Sequence, residues 1–286
     1  MIIYAGIVVF NPSKENLIET IITLSSQCTK VLLFINSPLD LFEYYNDKIQ
    51  VIHEGSNLGI ALAHSKLINF AKENGADFLI LSDQDSVYPN NYVKSMLKMD
   101  NCTIACPSWI NILGSSNKIK KQYVLNNTSL ILKNPDHNEL LSHAISSGMF
   151  ININNLSSNC LIDTKLYIDW VDNDWCWRLI SEGHKIRYNK DIVLKHRLGD
   201  NDTSVLGINF TKRSPTRDYY IIRNAIYLLM HRKYKLHVKH YLRKKIFQHI
   251  LLSFLSNFKH SSIRLPLIIK AIKHGKRSIL GPLKLL

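Results

Sequence analysis

The 286-residue sequence has little of what marks a cross-linked, fibrous or membrane-spanning protein. Its five cysteines are odd in number and form no Cys-x-x-Cys pair, so neither a disulfide scaffold nor a zinc site is predicted. Only 11 glycines and 8 prolines are present, which excludes collagen-like and low-complexity chains. No uncharged apolar run approaches the roughly 18–20 residues of a membrane-spanning helix, and the candidate in the C-terminal region, Ile250 to Leu255, is far too short.

Acidic residues are nearly missing from the last quarter of the chain. From Arg217 to Leu286 there are 16 Lys and Arg but one acid, Asp218, which gives a net charge of +15. The whole chain carries +14, so the rest of the protein is close to neutral, at −1. This asymmetry predicts a polyanionic partner for the C-terminal region, either nucleic acid or an anionic membrane surface.

The first half of the chain alternates between apolar strands and amphipathic helices. Such alternation predicts an α/β fold with a mostly parallel, doubly wound sheet, which binds ligands at the carboxyl ends of its strands. The predicted strands are 3–10, 30–35, 49–53 and 77–81, and the predicted helices are 13–26 and 57–74.

The second half is less regular and ends in three predicted helices. We divide the chain into a catalytic domain, residues 1–215, and a basic helical tail, residues 216–286. The predicted elements are strands at 102–107, 122–132, 185–188 and 192–196, an extended stretch at 143–152, and helices at 172–182, 216–231, 236–258 and 263–274.

The run Asp83–Gln84–Asp85 directly follows the predicted fourth strand, where side chains leave the sheet. Two carboxylates one residue apart on a tight turn suit a hard divalent cation, which also binds substrate phosphates. The alternative is an ordinary acidic turn, because an Asp-x-Asp pattern alone has low specificity.

A second acidic cluster, residues 169–175, opens the predicted helix 172–182. Asp172 is either the helix N-cap or a general base, because neighbouring aromatic rings can raise a carboxylate's pKa toward neutrality. Asp174 and Arg178 are spaced to pair on the helix surface. An aromatic residue beside a carboxylate, here Trp175, predicts a wall for binding sugar.

The segment 196–200, His-Arg-Leu-Gly-Asp, follows the last predicted strand before the helices. His196 is either packed in the core or a third metal or phosphate contact beside the two aspartates. The small-residue turn 146–148 would let a ligand approach the backbone closely at Gly148.

Taken in order, these motifs resemble those of glycosyltransferase family 2, which has the GT-A fold. The matching segments are 9–12, 34–37, 57–59, 83–86, 147–148, 172–178 and 196–199. Segments 168–175, 196–200 and 219–224 further resemble the bacterial rhamnosyltransferases of O-antigen and capsule assembly. The similarity covers roughly residues 1–235, and it departs from the family at Ile35, usually Asp, and at Val171, often Glu.

The resemblance implies a role for each matching position. Asp83 and Asp85, with His196 nearby, would hold Mg²⁺ or Mn²⁺ on the donor diphosphate, and Asp172 would be the base of an inverting transfer. The residues implied to surround the nucleotide are Phe10, Asn11, Asn36, Asn57, Gly59, Asp83 and Gln84. Those implied to contact the donor sugar or acceptor are Gly148, Asp169, Trp170, Asp174 and Trp175.

The implied reaction moves L-rhamnose from dTDP-rhamnose onto a saccharide linked to undecaprenyl diphosphate, with a UDP-hexose or UDP-galactofuranose as the alternative donor. The basic tail, 216–286, then predicts peripheral binding to the inner, cytoplasmic face of the cell membrane. Its alternative is a helical cap with a solvated basic face. The cysteine content also fits a reducing, cytosolic compartment.

Two other classes of protein compete with this interpretation. A nucleic-acid-binding protein would explain the basic tail but not the acidic clusters, and the sequence has no DNA- or RNA-binding motif. A catalytically dead relative would not be expected to keep Asp83, Asp85 and Asp172 together. We therefore predict an enzyme that does not bind nucleic acid.

Overall fold

A computed structural model describes residues 1–37, 47–112, 118–126, 129–157, 160–197, 202–205, 208–211, 213–255 and 261–284. The strands are β1 (Ile3–Val9), β2 (Lys30–Ile35), β3 (Ile49–His53), β4 (Phe78–Asp83), β5 (Ser86–Val87), β6 (Ile104–Asn111), β7 (Gln122–Leu125), β8 (Leu130–Lys133), β9 (Met149–Asn152), β10 (Ile186–His196), β11 (Asp202–Val205) and β12 (Ile208–Thr211). The helices are α1 (Lys14–Ser25), α2 (Ile60–Glu73), α3 (Tyr92–Met96), α4 (Val171–Ser181), α5 (Pro215–His231), α6 (Leu236–Leu255) and α7 (Ser261–Lys276).

An eight-stranded sheet with the order β3-β2-β1-β4-β9-β6-β10-β5 forms the centre of the fold. β1 pairs in parallel with β2 and β4, and every residue of β1 is buried. Continuous apolar runs suit such strands, because helices cover both faces of the sheet. The predicted α/β fold with a mostly parallel sheet is confirmed, with β9 and β5 as antiparallel members.

The carboxyl ends of β1, β2, β4, β6 and β10 lie at one edge of the sheet. β9 is antiparallel to its neighbours β4 and β6, so its amino end meets the same edge. The chain turns after β4 and returns as β5, which pairs Ser86 with His196 at the end of β10. The acidic turn after β4 and the end of β10 are therefore held together by main-chain pairing.

β10 is a single strand of 11 residues where the sequence predicted two short ones. Its register against β6 shifts between Asn189 and Val193, so the polar residues Lys190 and Asp191 occupy a bulge within one strand. The sequence analysis also missed α3 and the hairpin of β11 and β12. Segment 198–200 of the predicted His196–Asp200 motif lies outside the described residues.

The basic C-terminal region begins with a helix that is packed into the protein. In α5, Tyr219, Ile222, Arg223, Asn224 and Ala225 are at most 1% exposed. The helices α6 and α7 pack on α5, and α6 contributes to the main core as well. The predicted boundary at residue 216 thus falls in the first turn of a buried helix, and the division of the chain there stays a prediction.

The five cysteines are all free, and four of them are buried. Cys102 is partly exposed. Among the helices in the described ranges, none combines the length and apolarity needed to cross a membrane.

Gly148 should tolerate no side chain, because it combines a left-handed backbone with close packing. Its φ is +83°, and an added Cβ would lie 2.9 Å from Cγ of Pro107 and 3.1 Å from Cδ2 of Leu194. We expect Gly148→Ala to lower the free energy of unfolding by about 2–4 kcal/mol in chemical denaturation.

The matched control is Gly75→Ala, which has a similar φ of +68° but no atom within 4 Å of the added Cβ. It should cost only about 1 kcal/mol, the price of the backbone conformation. Equal losses in the two variants would contradict the packing argument.

Candidate active site

Most of the predicted site residues gather at the carboxyl edge of the sheet. Asp83 ends β4, His196 ends β10, and Asn36 directly follows β2. The turn before β9 adds Gly148, and the first turn of α4 adds Asp172. The topology therefore brings together motifs that are up to 186 residues apart in the sequence, between Phe10 and His196.

Asp83, Asp85 and His196 form one cluster whose ligand atoms all lie within 4.8 Å of one another. Nε2 of His196 is 3.5 Å from Oδ2 of Asp83, and its Nδ1 is 3.5 Å from Oδ1 of Asp85 and 3.1 Å from Oγ of Ser86. Burial raises the pKa of both carboxyls, and His196 opposes that rise. Two carboxylates and an imidazole suit Mg²⁺ or Mn²⁺, so the donor set fits the predicted metal.

Asp172 lies inside the first turn of α4 and is not its N-cap, because the helix begins at Val171 and Trp170 precedes it. Its Oδ2 accepts a hydrogen bond of 3.0 Å from the backbone N–H of Ser146. Burial raises the pKa of Asp172 to about 7, and the charges of Asp83 and Asp169 add to the rise. A carboxylate with such a pKa can accept a proton near neutral pH.

The segment that leads into α4 has a strained backbone. Tyr167, Asp169 and Trp170 all have φ between +62° and +68°, a region that side chains other than glycine rarely adopt. The side-chain amide of Asn224 donates to the carbonyl oxygens of residues 166, 168 and 169 at 2.8–3.0 Å. Arg223 donates to the carbonyl of residue 166 as well, so α5 holds this segment in place.

Gln84 joins the ends of β1 and β4. Its Oε1 accepts from the N–H of Phe10 at 2.7 Å, and its Nε2 donates to the carbonyl of Phe10 at 3.0 Å. The side chain of Phe10 is 45% exposed beside this pair, and Asn11 follows it with a φ of +44°. The predicted nucleotide residues on β1 and β4 are thus adjacent, and Gln84 is already bonded to the protein.

Asn36 and the start of α2 form the neighbouring part of the edge. Asn36 is buried, and its Oδ1 accepts from the N–H of Leu58 at 2.7 Å. Asn57 accepts from the N–H of Gly59 at 2.9 Å, and a Cβ on Gly59 would lie 2.5 Å from the ring of Tyr167. Gly59 is therefore needed for close packing against the strained segment. Ile35, in place of the family's Asp, is buried in the core.

Two residues predicted to contact sugar lie inside the protein. Asp174 has no exposed surface, and it bonds Arg178 (2.9 Å), Tyr234 and Arg232. Trp175 is 1% exposed and donates to the carbonyl of residue 160. Neither side chain has surface to offer a sugar, so the prediction that they contact sugar is wrong. The Asp174–Arg178 pair was expected on the surface, but its carboxylate is fully buried.

Asp169 and Trp170 keep partial exposure at the site. Oδ1 of Asp169 accepts from the guanidinium of Arg217 at 3.2 Å, and burial raises the pKa of this carboxyl while Arg217 opposes the rise. The indole of Trp170 donates to the carbonyl of residue 221 at 3.0 Å. These two predicted contacts are therefore anchored by α5.

Sequence reasoning missed three residues that shape the site: His64, Ser146 as a donor to Asp172, and Asn224. The segment 219–224 entered the sequence analysis only as part of the family resemblance. The amide of Asn224 and the guanidinium of Arg223 are the groups in it that could have indicated a hydrogen-bonding role. His64 follows the predicted nucleotide motif by five residues on an otherwise apolar helix face, and nothing local in the sequence marks it.

Comparison with known proteins gives one close sequence relative and several structural ones. No protein-family model matches the chain. The dTDP-rhamnosyl transferase RfbF of Shigella flexneri is 31% identical over 242 residues, which cover 79% of each chain.

Solved glycosyltransferases share the fold at low sequence identity. S. aureus TarS (residues 1–349, with UDP-GlcNAc) matches with a TM-score of 0.59 and 13% identity, over 98% of this chain and 82% of that one. GalNAc-T7 with UDP, GalNAc and Mn²⁺ matches with a TM-score of 0.57 and 13% identity, over 90% of this chain and 58% of its own.

The fold is that of the GT-A glycosyltransferases. Given its relationship to a curated sugar transferase, the chain belongs to glycosyltransferase family 2 and is an enzyme. The similarity to bacterial rhamnosyltransferases, inferred from the motifs, is confirmed at the level of sequence.

The raised pKa of Asp172 has a consequence for stability. The pKa of Asp172 in the folded state, about 7, lies above its ordinary value of 3.8. The free energy of unfolding that this carboxyl contributes is therefore fully present below pH 3.8 and is lost as pH rises through 7. We expect Asp172→Asn to be more stable than the wild type by about 1–3 kcal/mol at pH 8, with the difference shrinking toward pH 4.

Chemical denaturation at several pH values, in the presence of a chelator, measures the difference in free energy of unfolding between Asp172→Asn and the wild type. The control is Asp100→Asn, which removes an exposed carboxylate in the turn after α3 and should show no such divergence with pH. A constant difference between Asp172→Asn and the wild type across the range would contradict the raised pKa.

Proposed function

We propose that this glycosyltransferase transfers L-rhamnose from dTDP-rhamnose to a hydroxyl of a lipid-linked saccharide, with inversion at the anomeric carbon. The observation that carries the proposal is the pairing of a half-buried carboxylate of raised pKa, Asp172, with an Asp83–Asp85–His196 cluster at one edge of the sheet. The donor is inferred from the similarity to the Shigella flexneri rhamnosyl transferase.

Asp172 is suited to act as the general base. The acceptor hydroxyl gives its proton to Asp172 while its oxygen attacks the anomeric carbon from the face opposite the diphosphate. The bond between the anomeric carbon and the diphosphate oxygen breaks, and dTDP leaves with that electron pair. The N–H of Ser146 donates to Oδ2 of Asp172, and a lone pair of Oδ1 would take the proton of the acceptor.

Asp83, Asp85 and His196 would hold the divalent cation, which when bound neutralises charge on the diphosphate. We place the nucleotide along the edge formed by Phe10, Asn11, Asn36, Asn57 and Gly59. The exposed ring of Phe10 offers a stacking surface for a base.

We place the donor sugar at Gly148 and the acceptor near Asp169 and Trp170. Gly148 keeps a bare backbone at this edge, and Asp169 and Trp170 lie just before the base. Asp174 and Trp175 are left out of this assignment because they are buried.

We propose that the C-terminal helices bind the cytoplasmic face of an anionic membrane, where a lipid-linked acceptor would be found. The outer face of α7 exposes Leu265 and Ile269, each 45% exposed. They line a groove of about 490 Å³ together with Lys270, Lys273 and Arg277. Apolar side chains flanked by cations suit the interface of an anionic bilayer.

Nucleotide binding by the purified protein tests the donor site. At a concentration of about 100 times Kd, dTDP with Mn²⁺ should raise Tm by roughly 5–10 °C, because it binds only the folded state. Chelator should remove the shift, as should Asp85→Asn, while Asp100→Asn should keep it.

GDP should give a smaller shift than dTDP. A shift with UDP alone would replace the proposed donor by a UDP-sugar. The absence of a metal-dependent shift with all three nucleotides would contradict the proposed donor site.

Sedimentation with lipid vesicles tests the membrane surface. Adding phosphatidylglycerol to phosphatidylcholine vesicles should increase binding, and reversing three charges with Lys270→Glu, Lys273→Glu and Arg277→Glu should weaken it by about 100-fold or more. Each cation near an anionic surface contributes about 1 kcal/mol.

The control variant carries the same charge change on exposed lysines of α2, α3 and the following turn: Lys72→Glu, Lys94→Glu and Lys98→Glu. It should bind vesicles nearly as well as the wild type. Equal losses in the two triple variants would mean that net charge alone, and not the α7 surface, determines binding.

A further inference from the structure

His64 is a buried histidine of α2 whose ring has no evident structural use. Its side chain is 1% exposed, and neither ring nitrogen has a hydrogen-bond partner among the described residues. Leaving a buried polar group unpaired lowers the stability of the folded protein. The neighbouring helix residues Ala61, Ala63 and Leu67 are buried in the apolar core, where an apolar side chain would pack without this cost.

The ring lies next to the proposed base. Nδ1 of His64 is 4.0 Å from Oδ1 of Asp172, while Oδ2 of the same carboxylate is held by the N–H of Ser146. A separation of 4.0 Å exceeds a hydrogen bond. Catalytic hydrogen bonds are often long without substrate and shorten in the reacting complex.

The titratable groups around Asp172 leave its ionised carboxylate to be stabilised by a neutral hydrogen-bond donor. Asp83 and Asp169 add negative charge there, and the thiols of Cys106 and Cys176 are neutral because burial raises their pKa. Burial lowers the pKa of His64 to about 4, so its ring is also neutral at pH 7. A neutral imidazole has one N–H donor, and donation to the ionised carboxylate stabilises that form.

We propose that His64 is a positioning residue for catalysis: its Nδ1–H donates to Oδ1 of Asp172 in the reacting complex, where the acceptor hydroxyl or a water in its place gives up its proton, and so fixes the carboxylate for proton transfer. The proposal rests on the proposed role of Asp172 as the base. The proton from the acceptor hydroxyl still ends on Asp172, and His64 remains neutral throughout.

The direction of the pH effect follows from the hydrogen bond. A donor to the ionised form lowers the pKa of a carboxyl, so its loss raises the pKa of Asp172. Because the bond forms in the reacting complex, the acidic limb of kcat should move to higher pH when His64 cannot donate.

Three substitutions separate donation from packing. His64→Leu fills the site without a donor, His64→Asn places an amide N–H near the position of Nδ1, and His64→Gln places one near Nε2. His143→Leu is the matched control, because His143 is also buried, and burial likewise lowers its pKa, to about 3. Its Nδ1 pairs with Oγ of Ser142 and not with the base.

The assay is the release of dTDP from dTDP-rhamnose with Mn²⁺, water taking the place of the acceptor, over a range of pH. His64→Leu should lower kcat about tenfold, leave KM within about twofold, and move the acidic limb up by roughly one pH unit. His64→Asn should restore most of the rate, His64→Gln little of it, and His143→Leu should keep the wild-type limb. The Tm of His64→Leu should not fall below that of the wild type, because a buried unpaired polar group is removed.

Nitrogen-15 NMR of the histidine rings gives a readout that needs no turnover. The signal lost in His64→Gln identifies His64, which should carry its hydrogen on Nδ1 and shift in Asp172→Asn. A hydrogen on Nε2, or a wild-type pH profile in His64→Leu, would overturn the proposal.

The variant Asp172→Asn separates a failure of the proposed base from a failure of the proposed role of His64. If it keeps full turnover, the proposed base is wrong and the role of His64 with it. If it is inactive while His64→Leu behaves as the wild type, only the role of His64 is wrong. If the wild type does not turn over dTDP-rhamnose, the donor assignment is wrong, and the NMR measurement alone decides on His64.

Discussion

The rest of the active site depends on the hydrogen bonds that the side-chain amide of Asn224 donates to the segment before α4. The segment before α4 holds three left-handed residues, Tyr167, Asp169 and Trp170, and this conformation is unfavourable by itself. Donation from Asn224 and Arg223 satisfies its carbonyl groups at the protein interior. The direction in which α4 starts, and with it the position of Asp172, follows from these bonds.

The same edge of the sheet concentrates negative charge that the protein only partly neutralises. Asp83, Asp85, Asp169 and Asp172 all have raised pKa values, with burial as the largest cause. His196 and Arg217 offset part of this charge. A cation bound there would relieve the repulsion, whereas Asp172, bonded to Ser146, is the carboxylate proposed for proton transfer. Burial thus gives similar side chains different chemical roles.

Much of the fold could be predicted because it depends on local patterns. The apolar runs of β1, β2 and β4 identify buried parallel strands, and the turns after them identify the ligand edge. β10 was divided wrongly, because Lys190 and Asp191 look like a break when the partner strand β6 is unknown. Asp174 was misplaced for a similar reason: its partners Arg232 and Tyr234 lie about 60 residues away in the chain. Long-range pairing of polar groups leaves no periodic signal.

The placement of Asn224 in α5 bears on the order in which the enzyme is made. The strands of the central sheet and the carboxylates of the candidate metal site are encoded before residue 197, whereas the helix that holds the segment before Asp172 comes after residue 214. A nascent chain that ends before α5 lacks the donors of Arg223 and Asn224, so this segment would take its final conformation only after the first C-terminal helix has been made.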